Sequence, residues 1–248
     1  MMRAGLISLI LAALSARAGA VDFSLEYLSV PAVNQFVQED ASTLKSWQSS
    51  KDISLPTIGL RVAQSLPQLF SDWPLSIGFE TGFGLPAGTS SFDERQLKIN
   101  SSSLSANARN EGDAIEYSVL SVPIMATIGY VPRFSGINIG GQLGVGVVMM
   151  DVREDLIDSV YVSTLNDLDY VTTTHNHLSG TAFAVQLSGG LIVPVTETLS
   201  ARLWGGAMWM SEADFSSVKR QADGTSIVEG LQVGGIGYTV RVGLSSTL

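Results

Sequence analysis

The sequence contains no cysteine and few basic residues. Without cysteine there is no disulfide framework, no thiolate chemistry and no cysteine-ligated zinc site. Lysine and arginine number 14 against 23 aspartates and glutamates, a formal net charge of -9, so nucleic acid is not an expected partner. Charged residues form only 15% of the chain and the mean hydropathy is +0.27, which is apolar for a protein that remains in water.

A long apolar run is absent as well, and the one clear short run is N-terminal. Arg3 precedes an apolar stretch over 4–14, and Ala18-Gly19-Ala20 follows as a small-x-small site. This order predicts a secretory signal peptide over 1–20, because the stretch is too short to cross a bilayer, which takes about 20 apolar residues. We therefore expect one exported domain over 21–248, closed by backbone pairing.

What the sequence does contain is period-two alternation. Over 136–150, isoleucine, leucine, valine and methionine share one face while asparagine, glutamine and glycine share the other, and 178–193 and 74–84 repeat the pattern. Such alternation between clusters of Gly, Pro, Asn, Asp and Ser predicts β-strands. Eight strands are predicted in this way: Val21–Val30, Ser54–Leu66, Pro74–Gly84, Ala114–Tyr130, Gly136–Met150, Leu178–Val193, Thr198–Ser211 and Gln232–Leu244.

The predicted connections alternate between long and short, so all long ones fall at one end. An even strand number with short turns at one end and long loops at the other is typical of barrels of the bacterial outer membrane. We therefore predict an all-β fold, an eight-stranded antiparallel up-and-down transmembrane β-barrel. The long connections are 31–53, 85–113, 151–177 and 212–231, and the short ones are 67–73, 131–135 and 194–197.

A secreted, soluble β-sandwich or barrel is the alternative fold. Its water-facing strand positions would carry lysine, glutamate and threonine. Here Lys45, Lys51, Lys98 and Lys219 all lie in predicted loops, and the polar strand face is mainly glycine, alanine and serine. Small residues suit the crowded inside of an eight-stranded barrel. The pattern favours the membrane barrel, with a polar interior.

Aromatic residues are expected in two girdles at the membrane interfaces. One predicted girdle lies at the short-turn end, with Phe70, Trp73, Tyr130 and Phe134. The other lies near the long-loop end, with Phe83, Tyr117, Trp209 and Phe215.

The mature chain as a whole resembles, in its architecture, the small outer-membrane barrel families of the OmpA, OmpX and OmpW type, and two segments carry the resemblance. The segment Tyr117–Tyr130, with Pro123 in mid-strand, looks like a strand of those barrels, and Gly140–Gly146 looks like the glycine-rich strand that follows it. The C-terminus departs from the family pattern, because the chain ends on Leu248 after Ser-Ser-Thr instead of on Phe or Trp. The resemblance implies a monomer surrounded by the lipid bilayer and lipopolysaccharide.

Five charged residues are predicted to face the lumen: Glu26, Arg61, Glu80, Arg202 and Arg241. Because strand 1 neighbours strands 2 and 8 of the predicted barrel, Glu26 can approach Arg61 and Arg241, and Glu80 can approach Arg61. Ionised groups in a narrow barrel need a partner or water. They form either a gate or charged plug in a pore or an ionic network that only fills the interior. We favour the second interpretation, because barrels of this size lack an open channel.

The third long loop is acidic and also holds both histidines of the chain. No EF-hand or zinc spacing occurs, so the sequence predicts no metal site and no cofactor, and leaves open whether this loop binds a divalent cation. With two histidines outside the predicted strands and no Gly-x-Ser-x-Gly motif, we expect no enzyme. The residues concerned are Asp151, Glu154, Asp155, Asp158, Asp167, Asp169, His175 and His177, against Arg153.

Together these features predict an outer-membrane protein with a structural or surface-interaction role and a plugged lumen. The long loops would be presented at the cell surface, where they could contact an extracellular ligand. The alternative is a narrow transporter or pore for small or hydrophobic solutes.

Overall fold

The computed structural model describes residues 19–39, 44–65, 74–85, 90–95, 108–110, 113–131, 137–162, 167–220 and 226–247. Within these ranges no helix is long and apolar enough to cross a bilayer. The strands are β1 (Ala20–Glu39), β2 (Leu44–Ser65), β3 (Leu75–Gly84), β4 (Ser90–Arg95), β5 (Ala108–Asn110), β6 (Asp113–Tyr130), β7 (Asn138–Val162), β8 (Asp167–Pro194), β9 (Leu199–Arg220) and β10 (Ser226–Thr247).

Eight of these strands close into an antiparallel barrel. Each of β1, β2, β3, β6, β7, β8, β9 and β10 pairs with the next in that order, and β10 pairs with β1. The short strands β4 and β5 continue the wall above it, on the edges of β6 and β7. The predicted fold class is therefore confirmed. Closure leaves no free sheet edge within the membrane, which a lipid environment requires.

The turn after β8 is one of the predicted short connections. The backbone N–H groups of Val195 and Thr196 donate to the carbonyl oxygen of Leu199, at 2.8 and 3.0 Å. The Thr196 hydroxyl oxygen accepts from the N–H of Leu199 at 3.0 Å. A compact turn of this kind fits the periplasmic end of such a barrel. Residues 67–73 and 132–135 lie outside the described ranges.

Most of the predicted long loops were assigned wrongly, because the strands run through them. The β7–β8 ladder extends above the predicted strand ends, through Asp151↔Ser179 and Arg153↔His177, up to Val162↔Asp167. Both histidines accordingly belong to β8. The assignment failed because outward-facing residues become polar in this region, so the pattern that marks a lipid-facing strand stops although the strand continues.

Large apolar side chains cover the outside of the barrel in a belt. Ile137, Ile139, Leu143, Val145 and Met149 are all exposed along β7 and its approach, between 38% and 60%. Twelve residue steps separate Ile137 from Met149. At about 3.4 Å per residue and a strand tilt of about 40°, they span roughly 30 Å along the membrane normal. That is the thickness of the hydrocarbon core, so the belt crosses the lipid.

Above the belt the two faces of the barrel wall exchange their polarity. Outward positions become polar, as at Asp151 and Arg153 on β7 and at Ser179 and Thr181 on β8, and all four of these side chains are exposed. Inward positions are mainly apolar there, although Glu154 is fully buried on the same side, and the change begins within the upper part of the belt. The apolar inward residues form one buried cluster: Leu28, Val30, Ala32, Ile53, Leu55, Tyr117, Val119, Met125, Val148, Met150, Val152, Ala182, Ala184, Met208, Met210, Ala213, Phe215, Leu231 and Val233.

The prediction of a polar interior therefore holds only for the lower part of the barrel. The upper part has the organisation of a water-soluble β-protein, with an apolar inside and a polar outside. This also corrects the upper aromatic girdle. Phe83 and Trp209 face lipid, with 58% and 46% exposure, but Tyr117 and Phe215 point inward and are 1% and 2% exposed.

A β-bulge marks the upper boundary of the belt on one side of the barrel. Ser211 and Glu212 of β9 stand opposite Gly234 of β10 alone. The next residue, Gly235, has a φ of 104°, a left-handed conformation that favours glycine. Bulges bend a strand and increase its twist, and this one lies where β9 leaves the lipid. The β8–β9 ladder ends at this level, at Ala184↔Met210.

Candidate functional site

The lower lumen is crossed by an ionic cluster centred on Arg241. Its Nη2 lies 3.1 Å from Glu26 Oε2 and 2.5 Å from Glu80 Oε1, and its Nη1 donates to Glu80 Oε2 at 3.0 Å. Two amides complete the cluster: Gln142 donates to Glu80 at 2.9 Å, and Gln186 donates to Glu26 at 3.0 Å. One guanidinium from β10 therefore joins carboxylates from β1 and β3, across the interior of the barrel.

A second cluster forms around Asp22. Its Oδ2 accepts from Arg61 Nη1 at 3.0 Å and from Arg202 Nη1 at 2.7 Å. Arg61 also donates from Nε to the Thr127 hydroxyl at 3.2 Å and from Nη2 to the Ser76 hydroxyl at 3.5 Å. This cluster lies nearer the periplasmic end than the first, because Asp22 precedes Glu26 on β1. Each guanidinium thus has a carboxylate partner.

The structure distributes the sequence-predicted lumen residues over these two clusters. Glu26, Glu80 and Arg241 meet directly, whereas Arg61 and Arg202 meet through Asp22. The ion pair shown for Arg61 is with Asp22, not with Glu26 or Glu80. Sequence reasoning missed Asp22, although its spacing of four residues from Glu26 placed it on the same inward face.

Glycines two strands away along the wall make room for large inward side chains. A Cβ on Gly129 would lie 3.2 Å from Arg61 Nη2 and 2.8 Å from the Ser76 hydroxyl. A Cβ on Gly140 would lie 3.1 Å from the ring of Trp204. The alternation of glycine with apolar residues on β6 and β7 therefore serves the lumen as well as the lipid face. Large residues from β2 and β9 fill the space that the glycines leave.

One cavity beside the two clusters is small, about 10 Å³ among Asp22, Arg61, Arg202, Trp204 and Arg241. Such a volume corresponds to about one water molecule. Above it the apolar cluster continues the filling, and it includes Met125, Met208 and Met210. The lumen therefore changes from ionic to apolar along its axis.

The acidic segment considered for metal binding divides its described side chains between the two faces of the wall. Asp151, Arg153 and His177 lie on the outer face, with Arg153 directly opposite His177, while Glu154 is fully buried on the inward side. No group of three or more histidines or carboxylates that could hold a metal ion occurs among the described residues. The side chains of Asp155, Asp158, Asp167, Asp169 and His175 lie outside the described set.

The similarity of this chain to known proteins is one of fold. No protein family and no curated protein matches the chain. Among solved structures, a major outer membrane protein from Thermus thermophilus is 13% identical, with a TM-score of 0.45, over 92% of this chain and 99% of that one. The outer membrane protease OmpT from Escherichia coli is 10% identical, with a TM-score of 0.40, over 92% and 97%. Neisserial surface protein A is 10% identical, with a TM-score of 0.32, over 90% and 97%.

The class of the protein follows from its own geometry. Eight antiparallel strands close without an edge, a belt of exposed apolar side chains matches the thickness of the hydrocarbon core, and charged groups are held inside. Single-chain barrels with an even strand number and these features are those of the bacterial outer membrane. This chain is a small β-barrel of the bacterial outer membrane.

Proposed function

We propose that this protein is a non-conducting barrel that acts structurally or through its cell-surface part. The observation that carries the proposal is the filling of the lumen by the two ionic clusters and, above them, by the apolar cluster. A solute that entered from the periplasm would have to separate Arg241 from two buried carboxylates. Breaking a buried ion pair costs about 3–5 kcal/mol.

The upper strands supply the surface for interaction. They rise above the belt and expose polar groups such as Asp151, Arg153, His177, Glu212 and Asp214. Because most of the inward side chains of these upper strands pack in an apolar core, the strands hold their polar outward side chains in fixed positions at the cell surface. The proposal places them among lipopolysaccharide headgroups and extracellular ligands, on a monomer whose whole outer belt contacts lipid. It assigns the chain no catalytic role.

Planar-bilayer conductance tests the closed lumen. We expect no steady current from the refolded wild-type chain. A variant with Arg61→Ala, Arg241→Ala, Met208→Ala and Met210→Ala removes side chains from the ionic clusters and from the apolar cluster above them, and should give a measurable current. The matched control is Val240→Ala, which alters the lipid-facing neighbour of Arg241 and should stay silent. A steady current from the wild-type chain would overturn the proposal.

Entry of apolar solutes is a second candidate function, favoured by the apolar upper lumen. Four of its buried side chains are methionines (Met125, Met150, Met208 and Met210), whose flexible thioethers can rearrange around an apolar guest. The ionic clusters below would then be the barrier that opens. Uptake of a fluorescent naphthalene derivative into vesicles tests this candidate. This candidate function requires that vesicles containing the wild-type chain take up the compound faster than vesicles without protein.

A further inference from the structure

Above the membrane, β8 and β9 part and leave strand edges without a neighbouring strand in the described part of the chain. The ladder between them runs from Pro194↔Ser200 to Ala184↔Met210. Both strands then continue, β8 up to Asp167 and β9 up to Arg220. The upper arm of β8 pairs with β7 and the upper arm of β9 pairs with β10. The bulge at Ser211 and Glu212 lies at this level, and bulges bend the strand that carries them.

The direction of the backbone groups on β8 follows from one hydrogen bond. The N–H of Phe183 donates to the Ser211 hydroxyl at 2.9 Å, so it points toward β9. Backbone groups in a strand alternate with period two, so those of Thr181, Ser179 and His177 point the same way, into the gap. The side chains of these three residues are exposed. A row of backbone donors and acceptors in water is a template for another strand.

The two sides of the gap differ in what they offer such a strand. On the outer surface of β9, Glu212 and Asp214 are exposed and carry negative charge next to the gap. On the inner side, the ring of Phe215 lies under it, and a Cβ on Gly180 would come within 2.8 Å of that ring. An added strand therefore needs small side chains facing inward. Basic side chains facing outward would complement the carboxylates across the strands.

We propose that the free edge of β8 binds an extended, basic polypeptide segment of another protein by antiparallel strand addition. The backbone of the added segment forms hydrogen bonds with the backbone of β8, as in a β-sheet. The carboxylates of Glu212 and Asp214 make the site selective for a segment with basic side chains. This inference rests on the proposed surface-interaction function and names its partner class.

The probe for this site is a fluorescent peptide of about eight residues with alternating lysine and alanine, which is within the usual strand length of about three to ten residues. It is titrated against the full chain folded in phosphatidylcholine vesicles, and binding is followed by fluorescence anisotropy. In an antiparallel added strand, residues with outward side chains direct their N–H groups to β8. N-methylation of the lysine amides should therefore lower the affinity by about tenfold or more, because several hydrogen bonds are lost. N-methylation of the alanine amides should leave the affinity within a factor of about two or three.

Variants of the chain test the same edge from the protein side. Ser179→Pro removes one N–H that points into the gap and leaves the β7 ladder in place, so binding should weaken by about tenfold. Ser179→Ala is the matched control, which keeps that N–H and should bind like the wild-type chain. Reversing both charges in Glu212→Lys with Asp214→Lys should also weaken binding. Folding of each variant is checked by heat-modifiable gel migration.

Three results would overturn the proposal. The first is no binding, and the second is equal binding of both methylated peptides, which would mean that charge alone attracts the probe. The third is the formation of disulfide dimers by Ser179→Cys, a unique cysteine in this chain, because a second copy would then occupy the edge. If Ser179→Pro does not fold, the two methylated peptides still test the proposal, because they are measured with the wild-type chain. A barrel that gives no current and binds no peptide refutes the strand addition but not the closed lumen. A barrel that conducts refutes the closed lumen.

Discussion

The position of the membrane boundary on β8 leads to a quantitative prediction for arginine substitution. The lipid-facing stretch runs from Phe183 to Val195, so its middle is at residue 189. Leu187 is 65% exposed and lies two residues from that middle, or about 5 Å along the normal at about 3.4 Å per residue and about 40° tilt. Thr181 lies eight residues away, or about 20 Å by the same conversion, which is beyond the hydrocarbon core.

We expect Leu187→Arg to lower the free energy of unfolding by about 2–4 kcal/mol, because arginine at mid-bilayer must leave water. Thr181→Arg points the same way from the same strand but should cost only about 0–1 kcal/mol. The measurement is reversible unfolding in phospholipid vesicles by urea or guanidinium, followed by tryptophan fluorescence. The two variants serve as each other's control for strand, face and added charge.

The result that would refute the reasoning is an equal cost at the two positions, or a larger cost at Thr181. Equal and large costs would mean that the lipid extends higher than the belt of apolar side chains. Equal and small costs would mean that Leu187 is not in lipid, and the barrel would then be the soluble alternative.

Three further predictions concern the interior and the backbone, and the same unfolding measurement checks each of them. Arg241→Met leaves two carboxylates without their shared cation and should cost about 3–5 kcal/mol; a cost below about 1 kcal/mol would show that the cluster is open to water. Gly190→Ala would put a Cβ 2.0 Å from the carbonyl oxygen of Leu203, so we expect failure to fold, while Gly189→Ala, with its nearest atom at 3.4 Å, should fold normally. Gly235→Ala should cost about 1–3 kcal/mol, because its φ of 104° is strained for an L-residue; an unchanged midpoint would mean that the bulge adapts.

The lipid-crossing part of the fold could be predicted because a single rule governs it. Lipid demands apolar side chains at every second position, and Ile139, Leu143 and Val145 on β7 supply them. The lumen demands small or polar residues between them, which Gln142 and Gly144 supply. Because both faces are constrained, the number of barrel strands and the alternation of long and short connections can be predicted.

The upper strands are not predicted because the pattern of lipid-facing side chains does not reach them. Where Asp151 and Arg153 replace apolar residues at outward positions, that pattern ends and a loop is predicted instead. The inward positions carried the evidence instead, since Val148, Met150 and Val152 continue the period of two without a break. A strand that leaves lipid for water changes which of its faces is apolar, but it does not change its period.

The lumen charges show a different limit. The period of two places Glu26, Arg61 and Arg241 on the inner face, but it cannot say which of them meet. Contacts across a barrel depend on the stagger of the strands, which is a property of the closed structure and not of a single segment. Arg241 therefore reaches Glu80 on β3, a strand with which β10 does not pair.

The two zones of the lumen also explain why the ionic groups lie where they do. In the lower barrel the outside is lipid, so the apolar residues are used on the outer face and the inner face is left to glycine, polar and charged residues. Charges placed there must neutralise one another, as Asp22, Glu26 and Glu80 do with three arginines. In the upper barrel water covers the outside, so the hydrophobic effect again favours an apolar inside, and a buried ion pair would add desolvation cost without need. The change in external solvent along one set of strands therefore favours ionic clusters below and an apolar core above, and Glu154, which is fully buried in the upper part, is an exception.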